Sequence, residues 1–206
     1  MDKTVNVLPL FSSPIAIMQL PKLTEKEFNF VLNIDYERMF SNNGFYSINK
    51  YILNSLELIE CKRKILDHLQ IYVRDILKIS SDISFKLTNS WIVKNIPEDY
   101  ASGHIHENSL ISGVLYLKVP QDSGNIVFHR EFFPFTRLIS LKYTERNLFN
   151  CDSYSLTPKE GLLLFFPSIV GHSITKNISD QNRYSLSFNF FPTGKFGSED
   201  SALTIE

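Results

Sequence analysis

Arg183-Tyr184-Ser185-Leu186-Ser187-Phe188-Asn189-Phe190 alternates polar and apolar side chains without a break. A β-strand projects successive side chains to opposite faces, so Arg183, Ser185, Ser187 and Asn189 share one face. Tyr184, Leu186, Phe188 and Phe190 share the other. Two arrangements satisfy the pattern. The apolar face covers a core and leaves Arg183 in solvent, or it packs under helices outside a barrel while the polar face lines a lumen that holds a small polar molecule. Periodicity alone does not choose between them.

Outward from this run, the second half of the chain keeps the same texture. Short, turn-bounded, β-like runs read as strands at 84–95, 109–119, 125–129, 138–143, 161–166, 169–175 and 183–192. Gln121-Asp122-Ser123-Gly124, Thr157-Pro158-Lys159-Glu160-Gly161 and Ser179-Asp180-Gln181-Asn182 are turn signals between them. The first half differs. Residues 5–20 read as extended segments broken by Pro9 and Pro14, and Thr24 opens a short helix with a capping-box Glu27 three residues on. Residues 40–54, with the turn Asn42-Asn43-Gly44, look irregular. Residues 56–79 carry Leu58, Ile65, Leu69, Tyr72, Val73 and Ile76 at helical spacing and predict a helix covering one face of a sheet. Helices followed by strands imply a mainly β, α+β fold: a β-sandwich or barrel with helices packed on one side.

The 206 residues suit one domain, 1–206, with a loose polar tail at 193–206. A formal net charge of −1 gives no bulk attraction to nucleic acid or an anionic membrane, and no apolar run is long enough to span a bilayer. Cys61 and Cys151 form neither a disulfide framework nor a metal-ligand spacing, and no leader pattern is visible. A reducing, cytoplasmic location is expected.

Chemistry concentrates in Gly103-His104-Ile105-His106-Glu107-Asn108. On a strand the i, i+2 spacing places both imidazoles on one face, beside the loop 96–103, which can form a mouth. His172 supplies a third imidazole from a late strand, and neutral imidazole suits iron, zinc, copper or nickel. Arg183 opens the next run after a polar turn, so an antiparallel hairpin can bring it close to His172 across the ladder. Arginine offers a planar fork and is costly to bury unpaired, so a buried Arg183 beside a metal implies an acidic ligand. His129 reads as structural. The loop 130–137, with Phe132, Phe133 and Phe135, is a candidate substrate rim.

The segment from Trp91 to Phe128, with H-I-H-E-N-S-L-I-S-G-V-L-Y-L-K-V-P, resembles iron(II)/2-oxoglutarate oxygenases of the prolyl-hydroxylase-like superfamily. It is similar in particular to the bacterial and phage family with H-x-H-P-x-S-x-x-S-G-V-Y-Y. The blocks G-L-L-L-F-F-P-S-I-V-G-H-S and R-Y-S-L-S-F-N match that family's C-terminal signature, and L-F-S-S-P-I resembles its usual start, so the resemblance runs from about residue 9 to 192. It implies a double-stranded β-helix, the cupin-like jelly roll. It implies Fe(II) held by His104 and His172, with Arg183 on the distal carboxylate of 2-oxoglutarate as cosubstrate. Ser185 adds a hydrogen bond there, and Tyr116 and Asn189 are further pocket residues. The common triad of the superfamily is two histidines and a carboxylate. Here His106 stands at the carboxylate position and Glu107 points to the other face of a strand. The metal sphere is therefore His104, His106 and His172, or two imidazoles with a carboxylate from elsewhere.

The implied activity is a dioxygenase that hydroxylates a substrate C–H while 2-oxoglutarate is converted to succinate and carbon dioxide. Nothing in the sequence selects the substrate. Two rival classes use the same fold. A cupin-type metal protein would use the three histidines without 2-oxoglutarate, but gives Arg183 no role. A non-catalytic interaction domain would need no metal.

Overall fold

The computed structural model describes residues 7–39, 43–130 and 141–206. In chain order the elements are β1 (Ala16–Gln19), α1 (Glu25–Asn33), β2 (Tyr36–Met39), β3 (Gly44–Ser47), α2 (Ile59–Gln70), β4 (Ile83–Asn95), β5 (Ala101–His104), β6 (Ile111–Lys118), β7 (Ile126–His129), β8 (Ser153–Leu156), β9 (Leu162–Pro167), β10 (His172–Ile174), β11 (Arg183–Phe196) and β12 (Leu203–Ile205). The larger sheet runs β1-β9-β6-β11-β4-β3-β2, with β12 paired to β11. The smaller runs β5-β10-β7-β8. Every strand pairing is antiparallel.

The central strands β6, β9 and the first half of β11 are buried on both faces, which explains the nearly continuous apolar runs of β6 and β9. Leu115 and Leu117 of β6, Leu163 and Phe165 of β9, and Leu186, Phe188 and Phe190 of β11 join one core with Cys61, Ile65 and Leu69 of α2. The alternate residues Val114, Tyr116, Leu162, Leu164 and Phe166 meet Ile126 and Phe128 of β7 in a second core between the sheets. This is a jelly roll with a helical layer on the outside of one sheet. The apolar face of the 183–190 run therefore packs under helices, and its polar face turns inward.

The helix expected over 56–79 begins as a 3₁₀ turn, Leu56–Leu58, continues as α2 and ends in a π turn, Ile71–Ile76. That ending buries the consecutive residues Tyr72 and Val73. Tyr72 stacks on Phe165 with ring centroids 5.8 Å apart and donates to the Pro14 carbonyl at 2.8 Å. The capping box of α1 forms as expected, with Thr24 and Glu27 exchanging hydrogen bonds.

Three expectations need correction. The 40–54 region is not simply irregular: Gly44–Ser47 is β3, wedged between β2 and β4. The tail at 193–206 is not loose along its length. Strand β11 continues to Phe196, and Leu203–Ile205 returns to pair with Gly194–Phe196. The expected strand at 138–143 falls partly outside the described residues, and 141–143 carry no strand. Phe132, Phe133 and Phe135 also lie outside the described residues.

Candidate active site

Three histidines converge between the sheets. His104 closes β5 and His172 opens β10, where the two are direct cross-strand partners. His106 lies past the end of β5, and its backbone N–H is held by the Ser168 carbonyl at 3.0 Å. The i, i+2 geometry of a strand therefore applies only to its first member. Ring centroids are 4.4 Å apart for His104 and His172, 5.1 Å for His106 and His172, and 5.4 Å for His104 and His106. One ligating nitrogen from each ring lies within 4.8 Å of the other two.

The hydrogen bonds around this trio suit metal ligation. His104 Nδ1 meets the Ser102 carbonyl at 2.8 Å, His172 Nδ1 meets the Val170 carbonyl at 3.1 Å, and His106 Nδ1 meets Asn189 Oδ1 at 2.7 Å. A carbonyl oxygen only accepts, so each Nδ1 carries the proton and each Nε2 keeps its lone pair. Burial disfavours the imidazolium form. It holds His172 down at about 3, helped by the neighbouring His104, and lowers His106 as well. For both His106 and His172 this favours the neutral ring, the form that binds a divalent metal. Among the described residues no carboxylate joins the group, and Glu107 is exposed.

Asn189 proves to be a support for His106 rather than a pocket residue. It stands at a bulge in the β11–β4 pairing and also accepts from Ser112 Oγ at 2.8 Å. Ser112 meets Ser168, which donates to Ser109, which in turn reaches the Phe190 carbonyl. The S-x-x-S after the histidines thus builds a buried polar chain that fixes the ring of His106. The spacing of Ser109 and Ser112 was the available signal for it, but the pairing with β9 and β11 that completes it is not local.

Arg183 lies across the cavity from the trio's strands. It starts β11 of the larger sheet, whereas His172 belongs to the smaller one, so the two are not hairpin neighbours as the sequence suggested. The sheets, not a ladder, bring them to one cavity. Arg183 is only 1% exposed. Its Nη1 donates to the Ser123 and Gly124 carbonyls at 3.1 and 3.2 Å, and Nη2 donates to Asn95 Oδ1 at 2.5 Å. Its Nε has no partner among the described residues, nor does the Tyr116 hydroxyl, whose ring lies 5.8 Å from the guanidinium carbon. No carboxylate among the described residues pairs with Arg183, and burial lowers its pKa. A buried guanidinium held only by neutral acceptors favours an anion brought by a ligand.

His104, His106, His172, Arg183, Tyr116 and Ser185 line one cavity of about 410 Å³. Its wall also includes Asn89 and Trp91 of β4, which the sequence reading left unassigned. His129 stays outside the trio and bonds Ser173 Oγ at 2.8 Å.

Residues 89–189, which hold all three histidines, Arg183 and Asn189, match the family model described as "Putative 2OG-Fe(II) oxygenase". The fold is a jelly roll, and its three converging histidines could hold a metal ion. The matched segment, just under half of the chain, is similar to that family. Among solved structures it is similar to a Pseudomonas putida prolyl-4-hydroxylase, with 15% identity, TM-score 0.58, and 88% of this chain and 94% of that one covered. It is also similar to a viral collagen prolyl hydroxylase from Paramecium Bursaria Chlorella virus-1 in complex with 2OG, with 13% identity, TM-score 0.52, and 84% and 94% covered. HygX from Streptomyces hygroscopicus with nickel and 2-oxoglutarate bound has 11% identity, TM-score 0.56, and 86% and 82% covered. At these identities the likeness is one of fold. No curated protein matches the chain. Among the described residues no helix is long and apolar enough to cross a membrane.

Proposed function

We propose that His104, His106 and His172 hold Fe(II) through Nε2, that Arg183 and Tyr116 receive the distal carboxylate of 2-oxoglutarate, and that the enzyme hydroxylates a substrate C–H bond. The observation that carries this reading is the pairing of features in one cavity. Three imidazoles with their Nδ1 atoms held by carbonyl oxygens converge in it, and a buried guanidinium with no carboxylate partner among the described residues lies in the same wall, its Nε without a partner there. When bound, iron and 2-oxoglutarate supply dioxygen activation coupled to decarboxylation of the cosubstrate to succinate and carbon dioxide.

The chain's own residues do the rest. Carbonyls of Ser102 and Val170 and the amide of Asn189 fix each ring's proton on Nδ1, so the metal meets a preset tautomer. Arg183, pinned by Ser123, Gly124 and Asn95, presents a fork whose direction is set before the cosubstrate arrives. Ser185 lies on the same face of β11, close enough in sequence to add a hydroxyl to that end. Phe166, Val114 and Ile126 make part of the cavity wall apolar, which strengthens charge contacts made inside it. A cupin-type metal site would leave Arg183 buried without purpose.

The test is turnover. Purified protein with Fe(II), ascorbate and 2-oxoglutarate should form succinate even without primary substrate, and His172→Ala should abolish it. Full activity in His172→Ala would remove that residue from the metal sphere.

A further inference from the structure

Trp91 and Lys50 both line the cavity, and neither has a part in holding the metal or 2-oxoglutarate. Trp91 is the chain's sole tryptophan. Its ring centroid lies 5.8 Å from that of His106, and its buried Nε1–H has no partner among the described residues. Lys50 is held next to it by the backbone: the Ser90 N–H, one residue before Trp91, donates to the Lys50 carbonyl at 2.7 Å. Tyr51 and Ser90 form a parallel bridge at the same place. Both Lys50 and Trp91 line the cavity.

The charge balance of this cavity is one-sided. Among the described residues that line it, Lys50 and Arg183 are cationic and none is acidic. The three histidines are neutral ligands, so they leave the charge of a bound divalent ion uncompensated. A 2-oxoglutarate dianion offsets only part of that sum, and its two ends are committed to the metal and Arg183. Among the described residues the acidic partner of Lys50 is Glu37, at 3.0 Å, a pair that is 39% and 51% exposed, and Lys50 Nζ also donates to the Ser47 carbonyl at 2.8 Å. An exposed pair of this kind is weak and exchanges readily. Glu37 itself does not line the cavity.

We propose that Lys50 and the Trp91 Nε1–H form a subsite for an oxyanion of the primary substrate, a carboxylate or a phosphate, so that the enzyme acts on a small anionic molecule. The proposal rests on the oxygenase reading above and narrows its substrate class. Lys50 supplies the charge. Trp91 supplies a directed donor that costs nothing to satisfy, because it is already buried and unpaired. The subsite lies beside His106, so an acid seated there extends its carbon chain toward the metal side of the cavity.

The single indole is its own reporter. Protein loaded with Zn(II) and saturating 2-oxoglutarate is titrated with benzoate, phenyl phosphate and the neutral analogue benzamide, following the Trp91 indole N–H resonance. Benzoate or phenyl phosphate should move that resonance saturably, and whichever binds more tightly names the oxyanion. Benzamide should bind at least about ten-fold more weakly, the ratio expected when a charge-assisted hydrogen bond is lost. Lys50→Gln, a change at a part-exposed site, should weaken the acid by a similar factor, about ten-fold, and leave 2-oxoglutarate affinity unchanged. The proposal is overturned if benzamide matches benzoate, if neither acid moves the resonance while 2-oxoglutarate binds, or if Lys50→Gln has no effect. Failure of 2-oxoglutarate to bind the wild type would overturn the oxygenase reading, and the subsite with it.

Discussion

Arg183→Met separates the two halves of the site. Met roughly keeps the length of the aliphatic stem and removes the fork and charge. Against 2-oxoglutarate the loss is that of one partner of a buried, hydrogen-bonded charge pair, about 2–5 kcal/mol. At 25 °C that is a weakening of roughly 30-fold to several thousand-fold. Against the metal the loss is small, because no hydrogen bond links Arg183 to any of the three histidines. The assay is calorimetric titration of the Ni(II)-loaded protein with 2-oxoglutarate, alongside Ni(II) affinity of the apoprotein. Arg183→Lys should fall between, since it keeps the charge but not the planar fork. The removed guanidinium leaves the Ser123 and Gly124 carbonyls and Asn95 unpaired, so a melting curve for each variant shows whether it is folded. A folded Arg183→Met that binds 2-oxoglutarate within about three-fold of wild type would refute the reasoning, since that ratio is under 1 kcal/mol.

Asn189→Leu should lower metal affinity about 10- to 100-fold, the usual cost of losing the outer partner of a ligating histidine, read by competition with a chelating dye. Gly124→Ala should destabilise the fold by about 2–4 kcal/mol in urea denaturation. Gly124 has φ +94°, and a Cβ there would sit 2.3 Å from the Thr175 carbonyl oxygen. The apoprotein should lose stability on acidification. The folded-state pKa of His172, about 3, lies below its unfolded value, so between roughly pH 6.5 and 3 the unfolded chain binds the extra proton. Stability then falls with falling pH by roughly 1 kcal/mol per unit from this residue, a slope that His172→Gln should remove.

Much of the fold was legible because both faces of the larger sheet obey one alternation. Leu186, Phe188 and Phe190 announce a strand, and the amphipathic stripe from Leu58 to Val73 announces what covers it. The alternation could not say which face of β11 was the lumen, since that depends on α2 being packed against it. The strands that escaped notice, β2, β3, β5, β8 and β12, are three or four residues long and carry polar or glycine residues. Their strand character comes from neighbours distant in sequence rather than from propensity. The metal trio was legible from H-x-H and the late G-H-S. Its supports were not. Asn189 reaches His106 across 83 residues and Asn95 reaches Arg183 across 88. The expected hairpin between His172 and Arg183 failed for a related reason: the turn between them carries the chain from one sheet to the other.

The central claim is that one cavity holds a three-imidazole metal site and an arginine one cosubstrate length apart. Anaerobic titration with Fe(II) and 2-oxoglutarate tests it most directly, because chelation of the metal by the cosubstrate produces a visible metal-to-ligand charge-transfer band. The account predicts that band, saturating at one iron and one 2-oxoglutarate per chain and absent in His172→Ala. Iron binding with no such band at saturating 2-oxoglutarate would contradict it.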